Sequence, residues 1–295
     1  MDNEFILFDR LEVIRKTIQE YGEENFYLSF SGGKDSTVVH HLLDMAIPEN
    51  RIPRVFANTG IEYVDIVKFV KALAQDDDRF VIVNNTKNIR QTLEQEGWPF
   101  KSKEHSRKVR QYQHTGHISP YLERYLSNAK TQFKCPDILR YQFTEENKLK
   151  ISELCCDKIK KATTKKWSQT SHKTVPITGM RKEEGGARVQ LGCILVIDGQ
   201  IKKFNPILPV TDEWEEWFIK QYNVELCRLY YEPFNFERTG CKGCPFAINL
   251  QEQLETMEKY LPNERKQCEI LWKPVYDEYR RLGYRLKKDE QLKLF

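Results

Sequence analysis

The sequence predicts an α/β protein in which a parallel twisted sheet is flanked by helices, with a helical insert and a helical C-terminal region. Three observations predict it. Short apolar runs alternate with stretches of helical period over the first hundred residues, a polar helical stretch interrupts them after Lys101, and sheet character returns at Thr174. With 295 residues, the chain is long enough to bury a sizeable core.

Leu7 to Tyr21 carries apolar residues at helical spacing through Leu11, Ile14, Ile18 and Tyr21, which predicts a helix covering the sheet. Phe26-Tyr27-Leu28-Ser29-Phe30 is short and aromatic, a buried strand running into a glycine turn. Val38, Val39, Leu42, Leu43 and Met45 form a helix face that Pro48 closes. A second strand at Arg54–Ala57 meets a turn at Asn58-Thr59-Gly60, a helix follows through Val64, Ile66, Val67, Val70 and Leu73, and Phe80–Val83 is a third strand. Strand, helix, strand, helix, strand at this spacing predicts right-handed crossovers and parallel pairing.

From Lys101 to about Leu149 the chain is polar, basic and helical, broken at Pro120 and Pro136. Thr174–Gly179 and Cys193–Ile197 return to sheet, and Asp198-Gly199 turns the latter into a hairpin with Ile201–Phe204. Asp212 onward is mostly helical, with a loop from Pro233 to Pro245 and a basic, solvated helix face at Arg280–Lys288. The expected segments are therefore residues 1–100 and 151–250 in the α/β domain, 101–150 as the insert, and 251–295 as a helical end.

With 47 basic against 43 acidic residues, net charge gives no reason to expect a dedicated nucleic-acid binder. Met1 to Glu20 has neither a basic leader region nor a small-residue cleavage site, and no apolar run approaches the roughly 20 residues that cross a bilayer. A cytoplasmic location with no membrane partner is expected. Eight cysteines in such a setting point to metal or redox chemistry rather than disulfides.

Ser31-Gly32-Gly33-Lys34-Asp35-Ser36-Thr37 follows a predicted strand and opens a predicted helix, where main-chain N–H groups and the helix dipole hold anions. Two glycines permit close backbone approach, Lys34 neutralises charge, and three hydroxyls add donors. Its spacing is too short for the Walker A phosphate loop. Cys155-Cys156 and Cys241-Lys242-Gly243-Cys244 are separated by 84 residues and offer four thiolates, which suit a zinc ion or an iron–sulfur cluster. Adjacent cysteines are awkward on one small ion and easier on the separate irons of a cubane. Cys135, Cys193 and Cys227 are expected to be buried apolar residues.

On the Ser31–Thr37 string the sequence resembles the PP-loop superfamily of ATP pyrophosphatases, whose S-G-G-x-D-S-[ST] binds the phosphates of ATP or a related nucleotide. The resemblance implies an adenine nucleotide α-hydrolase-like fold. It extends, over about Tyr27 to Phe246, to the phosphoadenosine phosphosulfate reductase branch. Asn58-Thr59-Gly60 is similar to that branch's D-T-G, with Asn58 for Asp. Thr178-Gly179-Met180-Arg181 through Arg188 is similar to its T-G-x-R segment, with Gly185 where serine is common. Asn205-Pro206-Ile207 with Asp212 and Trp214 is loosely similar to a third stretch.

The resemblance implies that Ser31, Gly32, Gly33, Lys34, Asp35, Ser36, Thr37, Asn58, Thr59, Gly60, Gly179 and Arg181 line the nucleotide site, with Lys34, Asp35, Arg181 and Arg188 catalytic. The planar guanidinium groups of the two arginines suit a phosphate or sulfate. The cysteine pattern resembles cluster-containing adenosine phosphosulfate reductases, which implies a 4Fe-4S cluster on Cys155, Cys156, Cys241 and Cys244, with Lys160 matching a family lysine. ATP or adenylyl sulfate is the expected nucleotide, with magnesium if it is ATP.

Assimilatory reductases of this type carry a terminal E-C-G-L-H whose cysteine attacks sulfur; Glu290–Phe295 does not match it, and Cys268 lies in a stretch that reads as packed helix. Adenylation of a substrate with sulfur transfer is therefore expected ahead of sulfite release from a phosphosulfate, which would use Cys268 or the thiol of a reductant protein. A third expectation is a nucleotide-sensing subunit of a nucleic-acid modification or defence complex. For that role Lys101, Lys103, Arg107, Lys108 and Arg110, with His105, His114, His117, Tyr112 and Tyr121, offer a docking surface. The sulfur donor, the acceptor and any homo-oligomer stay open at this point.

Overall fold

The computed structural model describes residues 2–127 and 134–288. Residues 128–133 of the expected insert and the tail Glu290–Phe295 lie outside the described residues. Contacts divide the chain into two compact units, Met1–Asn85 with Ala162–Gly240, and Thr86–Lys161 with Cys241–Phe295.

The first unit begins with α1 (Asn3–Tyr21), capped by Asp2 accepting from the Glu4 N–H at 3.1 Å. Its expected stripe, Leu7, Leu11, Ile14 and Ile18, is buried, and α1 packs on α2 (Lys34–Ala46). Strands β1 (Phe26–Phe30), β2 (Arg54–Asn58) and β3 (Phe80–Asn84) pair in parallel, with α3 (Val64–Asp76) crossing from β2 to β3. All match the sequence reading to within a few residues. β1 buries both faces through Phe26, Tyr27, Leu28 and Phe30, the mark of a central parallel strand.

The chain then builds α4 (Ile89–Glu96), α5 (Lys103–Thr115) and α6 (Pro120–Leu126) in the second unit before returning through α7 (Ala162–Ser171) to the sheet. β4 (Val175–Ile177) pairs with β1, and β5 (Ile194–Ile197) and β6 (Gln200–Phe204) form the expected antiparallel hairpin, β6 lying parallel to β4. The order β3-β2-β1-β4-β6-β5 reverses direction between β1 and β4. At such a switch point the loops leaving the carboxyl ends of neighbouring strands diverge and leave a crevice. α8 (Asp212–Gln221), capped by Thr211, completes this unit, its Trp214 Nε1 donating to the Asn3 carbonyl at 2.9 Å.

The start of β2 is held by charge. Arg54 is fully buried and donates to Asp44 at 2.6 Å, Asn50 at 2.7 Å and His40 Nδ1 at 3.0 Å, while Arg79 joins Asp44 and Asp77. A buried guanidinium is tolerated because nearly every donor has an acceptor.

In the second unit α9 (Leu250–Tyr260) and α10 (Pro262–Leu282) pack together, and α5 lies on the turn at Asp137–Phe143. The four expected ligand cysteines fall in this unit, with the helices, whereas the sequence reading drew them into the α/β domain. The basic stretch is also less open than expected. His105 and Lys108 are buried, His105 bonding Tyr125 at 2.9 Å and Gln142 at 2.6 Å. Lys108 and Arg107 pair with Glu104, and Arg110 pairs with Glu153 at 2.7 Å. Lys103, His114, His117 and Tyr121 remain exposed.

Burial pulls the His105 imidazole down to about 4, so the neutral ring is what this unit stores. A depressed histidine withholds a proton that the unfolded chain binds below its ordinary value of 6.5, so stability is lost as pH falls from there towards 4. The wild type is expected to lose about 2 kcal/mol between pH 7 and pH 5 through this residue. Urea unfolding of wild type and His105→Gln at both pH values measures it, with the smaller loss in the variant.

Candidate functional site

Strand β1 delivers Ser31, and the chain turns at Gly32, whose φ of +70° suits glycine. A side chain there would also strike Ile66, 2.9 Å from the position of a Cβ. Gly33 caps α2, its carbonyl accepting from the Ser36 hydroxyl at 2.9 Å and the Thr37 hydroxyl at 3.0 Å. The Ser31 and Ser36 hydroxyls bond each other at 3.0 Å, and Gly33 N–H donates to Ser31 Oγ at 3.2 Å. The turn is thus braced by its own hydroxyls, with the N-terminus of α2 directed at the switch point.

Two residues absent from the sequence reading meet this turn. Lys34 N–H donates to the Tyr230 hydroxyl at 3.1 Å, and that hydroxyl bonds Thr239 Oγ1 at 2.6 Å. The Tyr230 oxygen thus accepts from the first residue of α2. The sequence does not single it out, since Tyr230 stands among Tyr231, Phe234 and Phe236 in the stretch after Cys227.

Strand β4 leads to Gly179 and Arg181. A Cβ on Gly179 would lie 2.8 Å from Asp35 Cβ and 2.9 Å from its carbonyl carbon, so the two segments meet backbone to backbone. Arg181, 4% exposed, places Nε 2.6 Å from Asp35 Oδ1, and its Nη2 lies 2.7 Å from Asp212 and 3.4 Å from Glu215. Lys34 Nζ is 3.2 Å from the same Glu215 oxygen. Glu215 is fully buried; its Oε2 makes both ion pairs, and neither of its oxygens has an oriented hydrogen bond. Burial and the Asp35 carboxylate push it up to about 7 against the pull of Arg181 and Lys34. Glu215 was missed in the sequence, although it lies between Trp214 and Phe218 on the stripe of α8 that packs inward.

Arg188 is half-exposed and pairs with Glu184 at 3.0 Å, which also pairs with Arg238 at 2.8 Å. At the end of β2, Glu62 accepts from Thr59 N–H at 2.8 Å, from the Thr59 hydroxyl at 2.7 Å and from Gly60 N–H at 3.1 Å. Asn58 donates to Asn84 at 2.8 Å.

In the second unit Cys155 and Cys156 share a hydrogen bond that keeps the proton on Cys155 and lowers Cys156 to about 6, aided by Lys103 and Lys160. Burial pushes Cys244 up to about 12. Cys155 also feels Cys244 and Cys241, so the four thiols act on one another electrostatically. Among the described residues no group of three or more His, Cys, Asp and Glu side chains is gathered about a single metal-ion position. Between the pair Cys241 and Cys244, Lys242 is buried and bonds Gln267 at 2.6 Å, and Gly243 has φ +60°. A Cβ on Gly243 would come within 2.5 Å of the Tyr276 hydroxyl and 2.7 Å of Cys268 Sγ. Cys268 is 1% exposed and pushed up to about 12 by burial, which leaves it a protonated packing residue. Cys135 and Cys227 are buried as expected; Cys193 is only half-buried, accepting from Arg10 at 3.6 Å.

The parallel sheet and the glycine turn at its switch point define a PP-loop α/β protein. The chain belongs to the phosphoadenosine phosphosulfate reductase domain family, whose model matches residues 25–247. An uncharacterised protein of Methanocaldococcus jannaschii is 28% identical over 275 residues, covering 91% of the chain. The chain spans about half, 53%, of the length of that curated relative. Among solved structures, a phosphoadenylyl-sulfate reductase of Candida auris has a TM-score of 0.41 at 14% identity, covering 78% of this chain and 93% of its own. An NH3-dependent NAD synthetase of Campylobacter jejuni has a TM-score of 0.43 at 14% identity, covering 94% and 95%. A U34-tRNA thiolase of Methanococcus maripaludis, solved with its 4Fe-4S cluster, has a TM-score of 0.38 at 14% identity, covering 96% and 80%. Among the described residues no helix is long and apolar enough to cross a membrane.

The backbone contact at Gly179 has a direct consequence. Gly179→Ala forces β4's exit away from α2 and is expected to cost about 1–3 kcal/mol, the usual penalty of an overpacked contact. Thermal unfolding of the purified variant checks it.

Proposed function

We propose that this chain is an enzyme that binds ATP or adenylyl sulfate on Ser31–Thr37 and presents the α-phosphate, or its attached sulfate, to a second reactant. The observation that carries the reading is the convergence of Lys34, Arg181 and the N-terminus of α2 at the crevice between β1 and β4. Main-chain N–H groups would hold the phosphates, Lys34 would neutralise them, and Arg181 would turn from its carboxylates to the distal anion. Arg188 would join it on leaving Glu184. Magnesium would accompany ATP. Catalysis by such a set is positioning and charge stabilisation.

Cys155, Cys156, Cys241 and Cys244 would hold a 4Fe-4S cluster, and their donor chemistry fits it. The adjacent thiols already share one proton, and Lys103 and Lys160 offset the negative charge that four thiolates would bring. When bound, a cluster supplies electrons or an iron corner for sulfur. Substrate adenylation with sulfur transfer, in the cytoplasm, is the reaction this combination supports. Cys268 is buried, so sulfite release would have to draw on a different thiol, and the reductase reading ranks second.

Lys34→Ala and Gly33→Val are expected to weaken ATP binding tenfold or more, about 1.4 kcal/mol, in equilibrium titration. Unchanged affinity would remove the nucleotide from this turn. Pyrophosphate release with ATP, set against sulfite release with adenylyl sulfate and a thiol, separates the two reactions.

The cysteine group is tested separately. Protein purified without oxygen is expected to hold about four irons and four sulfides per chain, and Cys156→Ser or Cys244→Ser to lose most of both. One zinc per chain, with no iron, would replace the cluster.

A further inference from the structure

We propose that Glu215 is a positioning residue that holds Lys34 and Arg181 while no anion is bound and releases them by taking a proton from solvent when an anion arrives. This rests on the anion site proposed above. The sequence gives no sign of it, since Thr211-Asp212-Glu213-Trp214-Glu215-Glu216 reads as an ordinary acidic start to a helix.

Charge bookkeeping and burial carry the inference. Lys34 and Arg181 face four carboxylates: Asp35 on α2, Glu183 after β4, and Asp212 and Glu215 on α8. Two positive charges therefore meet four negative ones before any ligand enters, and the one further cation that Asp212 feels, Arg238, is paired with Glu184. Asp212 and Glu183 are well exposed and Asp35 is a third exposed, so water screens them. Glu215 has no exposed side-chain surface, and neither oxygen has an oriented hydrogen bond. A phosphate that draws Lys34 and Arg181 towards itself takes away both of the cations that permit Glu215 to be ionised, and adds negative charge beside it. A shielded carboxylate stripped of its counterions is costly, and protonation removes the cost. The balance is simple: one proton from solvent joins a Glu215 oxygen, and no bond of the ligand changes.

The direction with pH follows. In the anion-free protein Glu215 ionises near 7, and a bound anion raises that value further. Binding then takes up a proton at pH above 7, so affinity falls as pH rises, by up to about tenfold per pH unit for one fully linked proton.

The test is calorimetric titration of ATP at pH 7.5 in two buffers of different ionisation enthalpy, with affinities from pH 6.5 to 8.5, on wild type, Glu215→Gln and Lys34→Ala. The nucleotide's own protonation is common to all three and cancels in the comparison. Wild type is expected to take up about three-quarters of a proton more than Glu215→Gln at pH 7.5, and the variant to lose the extra fall in affinity above pH 7 and bind more tightly at pH 8.5. Should Glu215→Gln not fold, the wild type decides with inorganic sulfate, which has no titrating proton in this range: affinity that falls above pH 7 supports the inference, and a flat profile overturns it. Equal proton uptake in wild type and Glu215→Gln, with binding that still depends on Lys34, overturns the inference alone. ATP binding that is absent, or untouched by Lys34→Ala, overturns the anion site and the inference with it.

Discussion

The ion pair between Arg181 and Asp35 fixes the geometry on which the candidate site depends. It joins the segment leaving β4 to the first turn of α2, across the point where the sheet reverses, and Asp212 and Glu215 extend the joint to α8. Three elements far apart in sequence are located by one planar cation. A guanidinium does this well because its fork offers donors in several fixed directions at once, where an ammonium would offer a movable point charge. The close approach of Gly179 to Asp35 is the steric half of the same joint. Without it Lys34 and Arg181 would not face a common space.

The sequence made the sheet legible because local chemistry and tertiary environment agree there. β1 is aromatic on both faces and buried on both, α1 and α3 carry their stripes, and Asp198-Gly199 turns a hairpin where its residue types require one. The glycine turn was equally legible, since Gly32 and Gly33 do work that other residues do poorly. Tyr230, Thr239 and Glu215 were not legible, because their roles arise from contacts made over large sequence separations. A tyrosine or a glutamate has no local signature that distinguishes a ligand-facing position from an ordinary one. The spacing of the cysteines showed two pairs, but that both fall in the unit of α4 to α6, α9 and α10 depends on packing that a spacing does not encode.

The basic insert shows how composition misleads at short range. Five cations and three histidines over seventeen residues look like a surface for a polyanion. Yet Glu104 takes up Arg107 and Lys108, Glu153 takes up Arg110, and His105 is buried in a relay of neutral partners. What the linear sequence counts as excess charge is, in three dimensions, mostly cancelled in place.

Glu62 carries a consequence of another kind. By chelating the amides of Thr59 and Gly60 it plugs the second loop of the sheet with an internal carboxylate. That loop therefore repels rather than invites a further negative group. Glu62 is in this sense spent on the loop that carries it, held by two neighbouring amides and the Thr59 hydroxyl.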